Sequence, residues 1–554
     1  IDILNSTNTT TQYMALGYEL FTHNNAVHNT IFNVKNDLTY YMGNHKIIGG
    51  VSYEYQMADN QYMRNGTGYY RYNSVDDFLN GATPEVVCLT YGYDGETNPA
   101  ARVRFHRPSI YAQDDWTVSD RFKLTYGLRL DGLFFDNQDL MTNNAIYALN
   151  YGTAHDAANP DAHVDGCRHI DTGKWPGGSV SVSPRVGFNW DILGDNSLKL
   201  RGGTGLFSGR LPLVFFTNMP TNSGMVQYQA QLNSKNTDMT VFNGGLVCDA
   251  NGKPTIDALK DKIVNELGHP NTITPEDGAL PSSISAVDPS FKMPQVWKTS
   301  LALDYTFPVA FPFTLSAEGI FNKTVNGVTI SDWSMMPVEG FAHFNGADNR
   351  PLYQDYQQTY VKADGSVANL PAAYVLENTN RGYGYSGTLS MNMRPTEALS
   401  LMAAYTHTVS KEITGMPGSN ASSVLNYMGT VYGPNDPGLH NSQYVTPDRF
   451  VASVSHHDKS GNHFSFIYEA WRGGSNYSYM TANDMNGDGY NYDLIYIPSK
   501  CDIEFGDFRF VSEDDAQRFM DYVANDKYLS KHKGQYAEAY SVYSPWTHRV
   551  DFSY

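Results

Sequence analysis

Phe122–Phe134 reads FKLTYGLRLDGLF. Phe122, Leu124, Tyr126, Leu128 and Leu130 fall on one parity, and Lys123, Thr125, Arg129 and Asp131 on the other. Successive side chains of an extended chain point to opposite faces, so this spacing predicts a strand with one apolar and one polar face. The rhythm returns at Val180–Ile192, where Val180, Val182, Val186, Phe188, Trp190 and Ile192 oppose Ser181, Ser183, Arg185, Asn189 and Asp191. It returns again at 297–307, 313–321, 383–393 and 399–409. Candidates at 13–21, 31–42, 45–57, 108–117, 197–208, 448–457, 463–471 and 546–554 bring the set to about fourteen strands, several longer than the five or six residues usual in soluble sheets.

The connections decide what kind of sheet these strands build. Gly43-Asn44, Val118–Arg121, Leu193–Asn196, Pro308–Pro312, Arg394–Ala398 and His457–Asn462 read as tight turns. Between them run long segments near 58–107, 136–179, 209–294, 325–382, 412–445 and 474–545, so short and long connections alternate. A soluble sandwich has no reason to obey that rule, and no blade-length repeat supports a propeller. A barrel of the outer membrane does obey it, with short periplasmic turns and long extracellular loops. In hydrocarbon an unpaired backbone N–H or C=O costs several kcal/mol, so a spanning sheet must close on itself. Aromatics at strand ends (Tyr40, Tyr41, Tyr53, Tyr55, Trp190, Trp297, Trp471) are expected to form the interfacial girdles. The predicted fold is therefore all-β, a large antiparallel transmembrane β-barrel with long extracellular loops.

Composition agrees. The 554 residues carry a net charge of −19, which argues against a nucleic-acid partner. Only 17 % are charged while 13 % are aromatic, the opposite of a disordered chain. A mean hydropathy of −0.43 without a long apolar run excludes helical membrane spans but not spanning strands, whose alternation averages to polar. Cys88, Cys167, Cys248 and Cys501 all fall in the long connections; four cysteines allow three full pairings, which the sequence leaves open.

Ser109–Asp131 (SIYAQDDWTVSDRFKLTYGLRLD) resembles the barrel hairpin shared by many TonB-dependent outer-membrane receptors. Ser183–Met219, Pro294–Ile330, Leu376–Tyr385, Asp484–Pro498 and Asp514–Arg549 look like the Oar-like, OmpA-related branch of those receptors. The resemblance implies a 22-strand barrel occluded by an N-terminal plug, with transport driven by TonB from the inner-membrane proton gradient. It implies that residues 1–554 are one barrel domain, incomplete at both ends, with plug and TonB box outside this sequence. Val550, Phe552 and Tyr554 imitate the terminal aromatic strand read by the barrel-insertion machinery. The partners that follow are the lipid bilayer and lipopolysaccharide, TonB through the plug, the insertion machinery and a surface lipoprotein. The expected function is uptake of an unidentified substrate, a peptide or protein, in the outer membrane of a Gram-negative cell. Its rivals are a barrel-anchored surface structural or adhesion protein and a passive porin.

Asp484-Met485-Asn486-Gly487-Asp488-Gly489 matches the start of a calcium loop, D-x-N-x-D-G. Oxygens of Asp484, Asn486 and Asp488 and the Tyr490 carbonyl would suit Ca2+. The twelfth position is Ile495 rather than Glu, so Asp493 is the expected substitute for closure. Asp161, His163, Asp165, Cys167, His169 and Asp171 share one parity, but their spacing fits no standard zinc pattern, and a polar loop accounts for them. No G-x-S-x-G, H-E-x-x-H or Walker loop is present, so no catalytic role is expected. Gly202-Gly203-Thr204-Gly205 is expected to loosen a strand as it enters a loop. Ser512 with the stripe Ala516, Phe519 and Val523, and Thr255 with Ile256, Leu259, Ile263 and Leu267, predict two capped helices inside the loops.

Overall fold

The computed structural model describes residues 1–5, 8–151, 154–156, 159–164, 168–335, 342–353, 358–362, 364–418 and 420–554, with side chains of 5–12 and 152–167 outside the described set. Thirteen strands form one continuous antiparallel wall, each paired to its neighbour in chain order. They are β1 (Ala26–Met42), β2 (His45–Gln61), β3 (Ala100–Ser119), β4 (Phe122–Phe135), β5 (Ser179–Asp191), β6 (Leu198–Ser208) and β7 (Gln295–Thr306). The rest are β8 (Phe313–Asp332), β9 (Tyr383–Thr396), β10 (Leu399–Glu412), β11 (Asp448–His457), β12 (His463–Arg472) and β13 (Thr547–Ser553). The wall is open: β1 and β13 are its two edges and do not pair with each other.

Register fixes the faces. Leu128 of β4 stands opposite Ala112 of β3 and Pro184 of β5, and Arg129 opposite Tyr111 and Ser183. Followed around the sheet, one face carries Ile110, Leu128, Val186, Leu301, Leu315, Leu389 and Tyr405, large apolar groups left exposed. The other carries Glu54, Arg107, Asp131, Arg201, Asp304 and Glu318; Glu54 pairs with Arg107 and Arg201 with Asp304 and Glu318 across strands, while Asp131 pairs with Arg129 along its own strand. An apolar skin around a polar interior inverts a soluble protein and suits a wall whose solvent is lipid. Tyr53, Trp190 and Trp297 lie exposed on the apolar side as expected. Trp471 does not: it stands opposite Arg449 and Thr547, on the polar side.

The candidate at 13–21 is not a wall strand. Tyr13–Ala15 end a strand (Asn8–Ala15) of a separate five-stranded sheet, ordered Gln227–Asn233, Val86–Gly92, Tyr69–Tyr72, Asp2–Asn5, Asn8–Ala15. The long connections are thus themselves folded. Tyr72, Leu89, Phe242, Leu259 and Ile263 form a core between this sheet and the Thr255-capped helix. A second core joins Phe105 of β3 to Trp175, Phe216, Phe291 and Val424 from three connections. A third gathers Ile146, Tyr151, Trp333 and Val375. β8 climbs into this cap, pairing with β9 through Lys323 and then with Ala372–Thr379 from Gly327 to Asp332.

Both predicted loop helices are present. Ser512 Oγ accepts the Asp515 N–H at 3.1 Å to cap Glu513–Asn525, and Thr255 Oγ1 accepts the Ala258 N–H at 3.1 Å. Two other assignments change. Gly202–Gly205 lies in mid-strand, where a Cβ at Gly203 would meet the Val186 carbonyl at 2.9 Å, so close strand approach explains it better than loop entry. Cys88 sits in a cap strand rather than an irregular loop. Cys88, Cys248 and Cys501 are free thiols, and Cys167 lies outside the described residues.

Candidate functional site

Asp484–Asp493 folds into a compact turn because its acidic side chains satisfy its own backbone. Gly487 and Gly489 take φ of +78° and +85°, a region that favours glycine. The Asp484 carboxylate accepts the N–H groups of Gly487 (2.7 Å), Asp488 (3.2 Å) and Gly489 (2.9 Å). Asn486 Oδ1 accepts the Asp488 N–H at 3.2 Å, and Asp488 Oδ1 accepts the Tyr490 N–H at 2.8 Å. Asp493 Oδ2 closes the turn on the Met485 N–H at 2.6 Å. Asn486, Asp488 and Asp493 are buried, and Tyr490 donates its hydroxyl to Asp332 Oδ2 at 2.8 Å, pinning the turn to the end of β8.

A residue that sequence reasoning missed holds this turn electrostatically. Arg350 has no exposed surface. Its guanidinium donates to Asp348 Oδ1 (3.0 Å), Asp493 Oδ1 (3.3 Å) and the Leu494 carbonyl (2.8 Å). Burial foremost, with the charges of Asp493 and Asp484 and against the pull of the Tyr490 N–H, pushes the Asp488 carboxyl up to about 7. Burial also raises Asp493, with the charge of Asp484 adding to it and Arg350 drawing it back.

All five expected calcium ligands thus lie in one turn, but their side chains face different ways: Asp484 inward to the backbone, Asp493 to Arg350, and the Tyr490 ring to Asp332. Among the described residues no three His, Cys, Asp or Glu side chains stand at a spacing that would hold a metal ion. Of the period-two set, the side chains of Asp161, His163, Asp165 and Cys167 lie outside the described residues. His169 Nδ1 bonds the Leu149 carbonyl at 2.9 Å, and Asp171 accepts Thr142 Oγ1 at 2.7 Å, so both tie loop segments together.

The family model for the outer membrane β-barrel domain matches residues 3–473, well over half of the chain. The chain belongs to that family. It is an integral protein of the outer membrane, and the apolar skin of its wall is the face toward lipid. No curated protein matches it in sequence. Among solved structures it is similar to the outer membrane transporter YddB from Escherichia coli, at 11 % identity and a TM-score of 0.44, covering 83 % of this chain and 44 % of that one. It is similar to the copper transporter OprC at 12 % identity and a TM-score of 0.36, covering 80 % and 44 %. The FrpB iron transporter from Neisseria meningitidis gives 11 % identity and a TM-score of 0.37, covering 80 % and 43 %. The chain therefore spans less than half the length of these structures.

The interior of the outer membrane barrel is lined by compensated charge. Glu54 of β2 forms an ion pair with Arg107 of β3 at 3.6 Å and accepts a hydrogen bond from Arg210, the second residue past β6, at 2.5 Å. Arg201 bridges Asp304 and Glu318 at 3.0 and 3.4 Å. The Glu54–Arg210 pair ties a long connection to the wall from inside, as Tyr490 and Asp332 do from the top of β8.

Proposed function

We propose that the chain is the barrel of a TonB-dependent outer-membrane receptor of the Oar-like, OmpA-related branch, which takes up an unidentified substrate, a peptide or protein. What supports this most is the folded state of the long connections, which build several apolar cores over the wall and anchor to it through Glu54–Arg210 and Tyr490–Asp332. A passive porin works through an open mouth, whereas a receptor needs a shaped surface that captures before it releases. TonB would act through a plug, and passage leaves the substrate chemically unchanged, so no catalytic residue belongs to this reading. Lipopolysaccharide would meet the exposed aromatics of the wall, the insertion machinery the Val550, Phe552 and Tyr554 strand, and a surface lipoprotein the cap.

Calcium enters as a structural ion of the Asp484–Asp493 turn, held by Asp484, Asn486, Asp488, the Tyr490 carbonyl and Asp493. The Asp488 carboxyl, raised to about 7 by burial and by the charges of Asp493 and Asp484 in the same turn, supports it. Binding requires Asp484 and Asp488 to turn toward a common point. Chelation that leaves protease cleavage within 474–545 unchanged removes the ion from the account.

The deciding experiment uses the full-length protein. Retention on the purified periplasmic domain of the TonB homologue, with no solute-driven swelling of proteoliposomes, is the expected result. Swelling would favour the porin, and a non-swelling protein that ignores TonB would favour the surface anchor.

A further inference from the structure

The cap contains a strand whose outer edge is only half used. Gln227–Asn233 pairs with Val86–Gly92 in unbroken antiparallel register and ends its sheet. At one end of its free edge the Asn236 side chain donates from Nδ2 to the Gln231 carbonyl (2.8 Å) and accepts the Asn233 N–H at Oδ1 (3.0 Å). One side-chain amide thus makes the pair of bonds that a residue of a neighbouring strand would make. Backbone groups of alternate residues point to opposite edges, so the outward Gln231 carbonyl places the N–H and C=O of Gln229 and Gln227 on the same free edge. The Gln231 N–H joins them. Among the described residues no other strand pairs with that edge.

The space beside it is bounded rather than open. Two cavities of about 380 and 150 Å3 adjoin there, and Gln229–Gln231 and Ser282–Ser283 line both. The opposite wall is a second underused strand, Ser283–Val287, which among the described residues pairs only with Ala372–Thr379. The Asp288 N–H donates to the Leu376 carbonyl at 2.9 Å, which fixes the even-numbered residues toward that partner and turns the backbone of Ser283 and Ser285 toward the gap. Asn222 borders both cavities and donates from Nδ2 to Ser285 Oγ at 3.0 Å. No Asp, Glu, Lys or Arg lines the larger cavity, and Arg64 is the one charged residue lining the smaller. His269, bonded to the Tyr228 hydroxyl at 2.8 Å, is pushed toward its neutral form by burial.

We propose that this slot binds an uncharged, extended peptide segment, which adds a strand to the free edge of Gln227–Asn233 with Ser282–Ser285 as the far wall. Main-chain groups at the edge recognise main chain whatever the peptide's sequence. The amide and hydroxyl lining of the slot accepts polar neutral side chains and offers no partner for a buried charge. A sugar would use the same side chains but has no repeat matched to the alternating N–H and C=O of a strand. The inference rests on the receptor reading and names its substrate class.

The test measures binding of a pool of capped, charge-free hexapeptides to the full-length protein in detergent. Saturable binding is expected, weakened at least tenfold by a pool N-methylated at alternate residues, which lacks the donors of one peptide edge. Gln229→Pro removes an outward N–H while sparing the ladder to Val86–Gly92, and should weaken binding by a similar factor; Gln229→Ala should not. Should Gln229→Pro misfold, the N-methylated pool on unaltered protein decides alone. Equal affinity for both pools, no binding of either, or displacement by maltohexaose overturns the proposal. A protein that engages TonB yet ignores the peptides loses this inference and keeps the receptor reading; one that binds peptides without engaging TonB does the reverse.

Discussion

Arg350 carries a charge into the interior of the cap. Its charge is fully buried, and two carboxylates depend on it. Removing one partner of a buried ion pair leaves the other uncompensated and costs about 3–5 kcal/mol. Arg350→Leu is therefore expected to unfasten Asp493 and raise protease cleavage within 474–545 severalfold, with the wall strands intact by heat-modified gel mobility. Asp488 makes a second prediction, because its folded value of about 7 lies above the value near 4 of an unfolded aspartate. Below pH 4 both states hold the proton. Between about pH 4 and 7 the folded turn keeps a proton the unfolded turn has released, so stability falls as pH rises, and above 7 the loss is complete. In calcium-free buffer, cleavage of this segment should accelerate from pH 5 to pH 8 relative to a reference site, and Asp488→Asn should flatten the profile. The turn was legible in the sequence because its glycines and carboxylates sit within ten residues of one another. Arg350 was not, since it lies 143 residues from Asp493 and only the fold brings them together.

At the scale of elements, legibility follows the period. Wall strands announce themselves because lipid on one side and water on the other force every second residue to the same character. The strand 13–21 was misread because a short stretch of alternating Tyr13, Ala15 and Gly17 carries the same signal whether its apolar face meets lipid or a small core. Some cap elements lack even that. Val214–Thr221 is a helix buried almost all round, so it shows no apolar stripe, and Pro220 near its end reads as a breaker. The alternation itself is testable at adjacent residues. Leu389, 64 % exposed in the middle of β9, faces lipid, while Ser390 faces the interior. Leu389→Arg is expected to lower folding stability in liposomes by about 2–4 kcal/mol, the range for a cation on the lipid face near the midplane. Ser390→Arg should leave urea midpoints nearly unchanged. Equal costs at the two positions would remove the lipid-facing assignment of this wall.

At the scale of the molecule the wall, the cap and the connections impose one orientation. Six tight turns lie at one end, and the cap with its cores lies at the other. The thirteen strands leave β1 and β13 as open edges, and a cylinder embedded in hydrocarbon needs both of them paired. Insertion in the outer membrane then places the cap outside the cell and the turns in the periplasm. The protein's own thiols report on this. Cys248 and Cys501 are exposed in the cap, whereas Cys88 is buried and its thiol is pushed up to about 11 by that burial. In a Cys167→Ser background, a membrane-impermeant maleimide applied to intact cells should label Cys248 and Cys501 and spare Cys88, because only an accessible thiolate reacts. A cysteine placed at Asp195, in the tight turn between β5 and β6, should label only after the outer membrane is permeabilised. Labelling of Asp195→Cys on intact cells, with Cys248 protected, would turn the barrel over and place the cap where no extracellular substrate reaches it.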